Sequence, residues 1–503
     1  MNPTAHHHEY PTGLRRTVTL MVLTTVTMLY AMTVTIANVA LPQIQGALSA
    51  TTDEIALVVT FNIIATAVMT PMAGWMAGRW GRRAVIIWGV VGFTLASLMC
   101  GLAPSLEVLV LMRILQGGFG APLVPLAQAI ALDIYPREQR GPVQAFFGMG
   151  VVLGPIIAPS LGGYLSETYS WRWVFFMVVP FGLMTLAGVV ALVQQRRREG
   201  EGRLDWTGFI ALALAIAAAQ YMLDRGHRLD WFESPLIMLL AGVSVMSFYF
   251  FIAHSATAER PFLSPRLLLD RNFSVGLLLT FAFGMLNFMP ITLLPVMLQT
   301  LRDFPDSIVG LLIAARGSGT FLGFVIMFWA SRLDPRLTVL VGFGLQGVSG
   351  WFMSQFSIDV SVWEVAWTSI LQGLGVGFIW VPLTMITFST LPDRYFNEGT
   401  AIYHLVRNFG SSVFISISIV VVLRTTSIKY FELGEHVSPL NEVLGYPAFA
   451  GVWAALGDTQ TLASLSAEVV RQANMIGYVN AFTAFAAISL VALPLVLFVH
   501  GKK

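Results

Sequence analysis

The chain has 503 residues, of which 56% are apolar and only 11% charged, where a soluble globular protein would carry roughly 25% charge. That composition excludes a water-soluble enzyme, and a formal net charge of +2 offers nothing to a nucleic acid. Apolar runs of about 20 residues, each able to cross a ~30 Å hydrocarbon layer as a helix, recur from Val18 almost to the C-terminus. The chain therefore reads as a polytopic membrane protein with no room for a separate soluble catalytic domain.

In chain order, a polar start with His6, His7 and His8 precedes Arg15 and Arg16. The histidines fit either a metal-holding cluster or a disordered tail. The first apolar run is too long for a cleaved signal peptide. Spans are predicted near 18–41, 55–77, 84–103, 107–132, 142–166, 173–193, 206–223, 235–254, 273–300, 307–330, 337–356, 361–390, 399–423 and 476–499, fourteen in all. The single cysteine, Cys100, lies inside a span, so no intrachain disulfide is available.

An even number of spans puts both termini on one side. Nineteen of the 29 Lys and Arg fall in loops on that side, seven on the other and three inside spans. Basic short loops resist translocation, so the termini are expected to be cytoplasmic. The run Gln194–Arg203 reads as a solvated hinge. The chain thus divides into an N-terminal six-helix bundle over 1–193, a hinge with two accessory helices over 194–270, and a C-terminal six-helix bundle over 271–503. An outward segment at about 425–475 is expected to form an ordered cap, helical near 459–474. Six spans, two extra and six more is the arithmetic of a duplicated transporter, whose substrate site lies near the midplane between the halves.

The interior charges set the chemistry. Arg113, Arg316 and Arg407 fall several residues inside their spans, whereas each of the 27 Asp and Glu lies in a loop or within about two turns of a span end. A charged side chain at the membrane centre costs from ~2.5 to over 10 kcal/mol, so each arginine needs a cavity or a partner. Two readings follow. The arginines pair with carbonyls and with Gln116, Gln128, Asn287 or Asn408, locking helices together. Alternatively they line one positive cavity that receives an anionic amphipathic substrate. Tyr30, Thr33 and Asn38 form a polar stripe on the first span, suited to cavity lining or to helix–helix hydrogen bonds. Met285, Phe288, Trp351 and Trp380 are candidates for an adaptable apolar wall. His404, Arg407 and Asn408 share a helix face. His404 is the one histidine well inside a span, hence either a buried hydrogen-bonded residue or a proton carrier. Glu54, near a span end, is the second proton-coupling candidate.

On the fifth span Gly150, Gly154, Ala158 and Gly162 recur every four residues, beside Pro155 and Gly163. This face allows close backbone approach, for static packing or for a sliding gate. Together Gly150, Gly154, Pro155, Gly162 and Gly163 resemble the antiporter motif of the major facilitator superfamily. Arg113, Gln116 and Gly117 resemble its buried-arginine motif, and Gly74 through Arg79, Arg82 and Arg83 its loop between spans two and three. Thr35 to Pro42, Leu223 to Gly226 with Asp230 to Phe232, and Gln372-Gly373 through Thr387 narrow the resemblance. Nearly the whole chain is similar to fourteen-span drug/proton antiporters of the EmrB/QacA type, on the EmrB side. Two departures stand out: Thr33 occupies a position that is usually acidic, and Gly78 one that is commonly Asp.

The resemblance implies an all-α major facilitator fold, two six-helix bundles plus two accessory helices. It implies efflux of amphipathic compounds across the inner membrane by alternating access, in exchange for protons. It also implies a periplasmic membrane-fusion adaptor and an outer-membrane channel as partners. Arg79, Arg82, Arg83 and Asp133 are then expected at the cytoplasmic gate. An exporter of an endogenous anionic lipid or fatty acid is the alternative. A membrane-embedded transferase is the remote one, because His404 has no mid-span carboxylate partner for acid–base work. No cofactor, resident metal or catalytic residue is expected.

Overall fold

The computed structural model describes residues 13–194, 204–259, 261–330, 333–392, 395–437 and 459–499. The histidine tail, nearly all of the Gln194–Arg203 hinge and residues 438–458 of the expected cap lie outside them, as does the side chain of Asn38. The described residues form helices and connecting turns, with no strand among them. Numbering an interrupted helix as one unit, the order is α1 (Leu14–Val39), α2 (Thr52–Met69 with Met72–Trp80), α3 (Arg82–Gly101), α4 (Leu106–Gly120 with Leu123–Asp133) and α5 (Arg140–Thr168). Then come α6 (Trp173–Phe176 with Val178–Leu192), α7 (Trp206–Arg225), α8 (Pro235–Thr257), α9 (Arg271–Arg302) and α10 (Asp306–Ala330). The last four are α11 (Pro335–Met353), α12 (Val362–Phe388), α13 (Phe396–Glu435) and α14 (Thr459–Val496). Twelve are long and apolar enough to cross a membrane, and α2, bent by 53° at its break, makes a thirteenth. Helix α11 stands at the remaining predicted span, short and carrying Arg336 and Gln346.

Local signals explain the boundaries. Thr51 and Glu54 close a capping box at the start of α2, and Ser361 and Glu364 do the same for α12. Asp270 caps α9 by accepting the Phe273 N–H. Pro71 and Pro122 sit at the interruptions of α2 and α4, where a missing N–H and a ring clash break the ladder. Gly81, at φ +85°, turns the chain from α2 into α3 in a conformation that side chains disfavour.

The segment expected as an outward cap is helical at both ends: 459–474 is helical as expected, and its start extends α13 to Glu435. Helix α13 has 40 residues and α14 has 38, each about 60 Å at 1.5 Å per residue. Both overshoot a ~30 Å apolar layer, and they remain paired beyond it through Thr426 with Asn474 and Tyr430 with Ser466.

Helices α1 to α6 pack around one apolar core and α9 to α14 around another. Helix α7 leans on α2 from the first group and α13 from the second. It is tied to them by Thr60 donating to Asp224 and by Gln220 donating to Ser412 at 2.8 Å. At its start, the Asp205 carboxylate accepts from the Gly208 and Phe262 N–H groups and meets His254. Burial raises the Asp205 pKa, but these hydrogen bonds outweigh it and hold the carboxyl below its usual range. The first and last described residues lie on one face: Arg16 stacks on Tyr135, Arg82 pairs with Asp133, and Arg271 bonds the Phe498 carbonyl.

Candidate functional site: the contact between the two helix groups

The two buried mid-span arginines, Arg113 and Arg316, each sit beside a glutamine. In the first group Arg113, 1% exposed, donates to Gln116 at 2.5 Å and to the Val58 carbonyl at 3.3 Å. Gln116 passes the chain on to Ser97, and Asn62 of α2 donates to the Arg113 carbonyl at 2.8 Å. Phe175 faces the guanidinium at 5.9 Å. In the second group Arg316 of α10 donates to Gln372 of α12 at 2.5 Å and to both oxygens of Asn287. The cleft beside it is about 10 Å³, space for about one water and no more.

These two clusters repeat one another. Ile-Leu-Gln-Gly occurs at 114–117 and again at 370–373. A Cβ on Gly117 would meet the Asn62 carbonyl, and one on Gly373 the Arg316 carbonyl, with Thr66 and Thr320 beside them. The helix pair is therefore reused, with the arginine moved from the glutamine's own helix in the first group to the facing helix in the second. The single cavity lined by three arginines that the sequence suggests is not what the structure builds around Arg113 and Arg316. Each is enclosed within its own group, because amide and carbonyl oxygens solvate it locally.

Arg407 differs. It is half-buried, lies 4.7 Å from the Trp380 ring and donates to Asn408 at 3.2 Å. Trp380, 4% exposed, is wedged among Phe283, Phe324 and Arg407. Tyr30 donates to Thr66 at 3.3 Å and packs on Phe93. Thr33 is buried and bonds its own helix at the Leu29 carbonyl, so it presents no free hydroxyl. Met285 is half-buried and Phe288 partly exposed. Trp351 is 61% exposed on α11, a helix that packs on α12 and α14.

Several polar contacts between the groups lie at the face that holds the described chain ends. His404 of α13 meets Gln128 of α4 at 2.5 Å, both buried. Arg82 donates to Asn397 of α13 at 2.6 Å and pairs with Asp133 at 3.2 Å. A Cβ on Gly74 would lie 3.0 Å from the Glu398 backbone. Arg83 bonds the Val190 carbonyl within its own group, and Arg79 is exposed. Of the two proton-coupling candidates, His404 lies at this contact. Glu54 is spent in the α2 capping box, accepting the Thr51 N–H and hydroxyl.

The small-residue face of α5 lies on α1: Gly150 meets Thr24, Gly154 the Met28 carbonyl, Gly162 Ile36, and Ala158 is fully buried. A neighbouring strip of the same helix crosses to the other group, Gly148 against Phe324 and Ile156 against Gly317. Toward the opposite face, Gly163 and Gly310 look into open space. Buried contacts thus join the two groups at one end, while a Cβ on Gly163 or Gly310, toward the other, would stand free. Sequence reasoning missed Asn62, Asn397 and the tie between Asp224 and Thr60, and gave Gln128 to an arginine. None of these has a local signal, since each partner lies far along the chain.

Residues 23–415 match the Major Facilitator Superfamily. The multidrug export protein EmrB of Escherichia coli (strain K12) is 33% identical, over 97% of this chain and 96% of that protein. The fatty acid resistance protein FarB of Neisseria gonorrhoeae is 32% identical, over 92% of both. The fold is shared with the human organic anion transporter MFSD10, at a TM-score of 0.62, 13% identity, 97% coverage of this chain and 100% of that one. The chain belongs to the Major Facilitator Superfamily and, within it, to the EmrB-type multidrug transporters.

Proposed function

We propose that the chain exports amphipathic, lipophilic compounds across the inner membrane by alternating access, with its termini cytoplasmic, in exchange for protons. A periplasmic adaptor and outer-membrane channel complete the route. The observation that carries alternating access is the asymmetry just described: buried contacts join the helix groups at one end, and open space faces Gly163 and Gly310 at the other. Likeness to EmrB over almost the full length supports drug-like substrates. His404 is the proton-coupling candidate these contacts favour. It joins the two groups through Gln128, so a change in its protonation alters the contact that closes the gate. Substrate-driven proton flux in proteoliposomes tests this. His404→Ala is expected to abolish coupling and Glu54→Gln to retain it, whereas full coupling in the histidine variant rejects the assignment.

A second reading, export of anionic lipids or fatty acids, is supported by the likeness to the fatty acid resistance protein FarB. Competition by neutral, cationic and carboxylate-bearing analogues of one substrate separates the two, and a preference for cations removes the second.

A further inference from the structure

Beneath the closed gate lies a cavity of about 180 Å³ to which both helix groups contribute. Thr384 and Ser389 bring hydroxyls to it, and its charged and amide groups come from α5. Arg140 lies at the first residue of that helix and Gln144 one turn later, on the same face. Gln144 is 1% exposed, yet neither its amide nitrogen nor its oxygen has a hydrogen-bond partner. Leaving both atoms of a buried amide unpaired is costly, and a polar ligand would relieve that cost. Arg140 spends its Nε on the Leu132 carbonyl and lies over the Phe396 ring at 5.9 Å. Among the described residues no carboxylate pairs with it. The rest of the wall is largely apolar, with Leu132, Met385, Phe388 and Phe396 as its main surfaces.

We propose that this cavity is a binding site for a small carboxylate-bearing amphiphile, with the headgroup between Arg140 and Gln144 and the tail among Met385, Phe388 and Phe396. A guanidinium and an amide N–H both donate, and charge-assisted bonds to a carboxylate are the strong ones. A cation would meet Arg140 with like charge, and an alcohol would forgo that bond. The size selects a short chain, since sites for drug-sized ligands run ~300–1,000 Å³. Helices from both groups line the cavity, so a bound acid favours the conformation in which they are together and holds this gate shut. The proposal concerns binding alone, and its test reads binding without transport, so it can fail independently of the transport reading.

The test uses the full-length protein in nanodiscs with octanoate, octanol and octylammonium as probes. Octanoate is expected to bind at least tenfold more tightly than the other two, and Arg140→Gln and Gln144→Leu to weaken it at least tenfold. A readout that does not depend on the stability of those variants is protection of Met385→Cys from a water-soluble maleimide, clean because the native Cys100 is fully buried. Octanoate should slow that labelling at least fivefold, and octylammonium should leave it unchanged. Equal binding of all three probes, or octanoate binding that ignores both variants and leaves Met385→Cys unprotected, overturns the proposal.

Discussion

The two arginine–glutamine clusters show how a cation is kept inside an apolar layer without a counter-ion. Arg113 relies on one side-chain acceptor, Gln116, plus one long bond to a carbonyl, and its Nη2 has no partner. Arg316 has two side-chain oxygens and a carbonyl at 2.7 Å. Redundancy therefore differs, and so should the cost of removing one acceptor. Gln116→Leu strips Arg113 of its best partner and is expected to destabilise by about 1–3 kcal/mol, the penalty for a buried donor left unmade. Asn287→Leu leaves Arg316 with Gln372 and the residue 287 carbonyl, and should cost less than half of that. Thermal unfolding of the purified variants in one detergent checks the order. An Asn287 variant as unstable as the Gln116 variant would mean that the two clusters are not built as the contacts indicate.

At the scale of helices, the contrast between Gly154 and Gly163 is the sharpest test of packing. A Cβ on Gly154 would stand 2.6 Å from the Met28 carbonyl, a backbone atom that cannot rotate away, while one on Gly163 meets nothing within 4 Å. Gly154→Val is expected to cost about 1–3 kcal/mol by overpacking and to lose transport. Gly163→Ala should keep both stability and transport, as read by folded yield and by drug susceptibility of cells. These residues also show what the sequence made legible. Their four-residue spacing marks a small-residue face because helical period is local information. It says nothing of the partner, since a face can meet any neighbour, and only the assembled structure puts α1 there. The spans were legible from composition, for apolar length is a necessary condition for crossing lipid. Lipid-facing and cavity-facing walls are both apolar, so residue type does not separate the two for a residue such as Trp351. The pair His404 and Gln128 was out of reach because its partners lie 276 residues apart.

For the whole molecule, the question is which contacts decide the balance between its closed and open ends. Arg79, Arg82 and Arg83 were all expected at the gate, and the structure gives them different work. Arg82 alone spans the groups, bonding Asn397 across the contact and Asp133 on its own side, while Arg83 stays within its group and Arg79 is exposed. A hydrogen bond to a charged group contributes about 1.5–3 kcal/mol, and 1.4 kcal/mol is tenfold in an equilibrium. Removing the cross-group bond should therefore raise the population with this end open by roughly tenfold or more. Asn397→Leu removes only that bond, Arg82→Ala removes the internal pair as well, and Arg79→Ala removes neither. With Ser389→Cys as reporter, beside the gate and alongside a buried Cys100, maleimide labelling should quicken about tenfold in the first two and hold steady in the third. If Arg79→Ala quickened labelling as much as Asn397→Leu, the gate would respond to total positive charge, and the specific Arg82–Asn397 contact would lose its role.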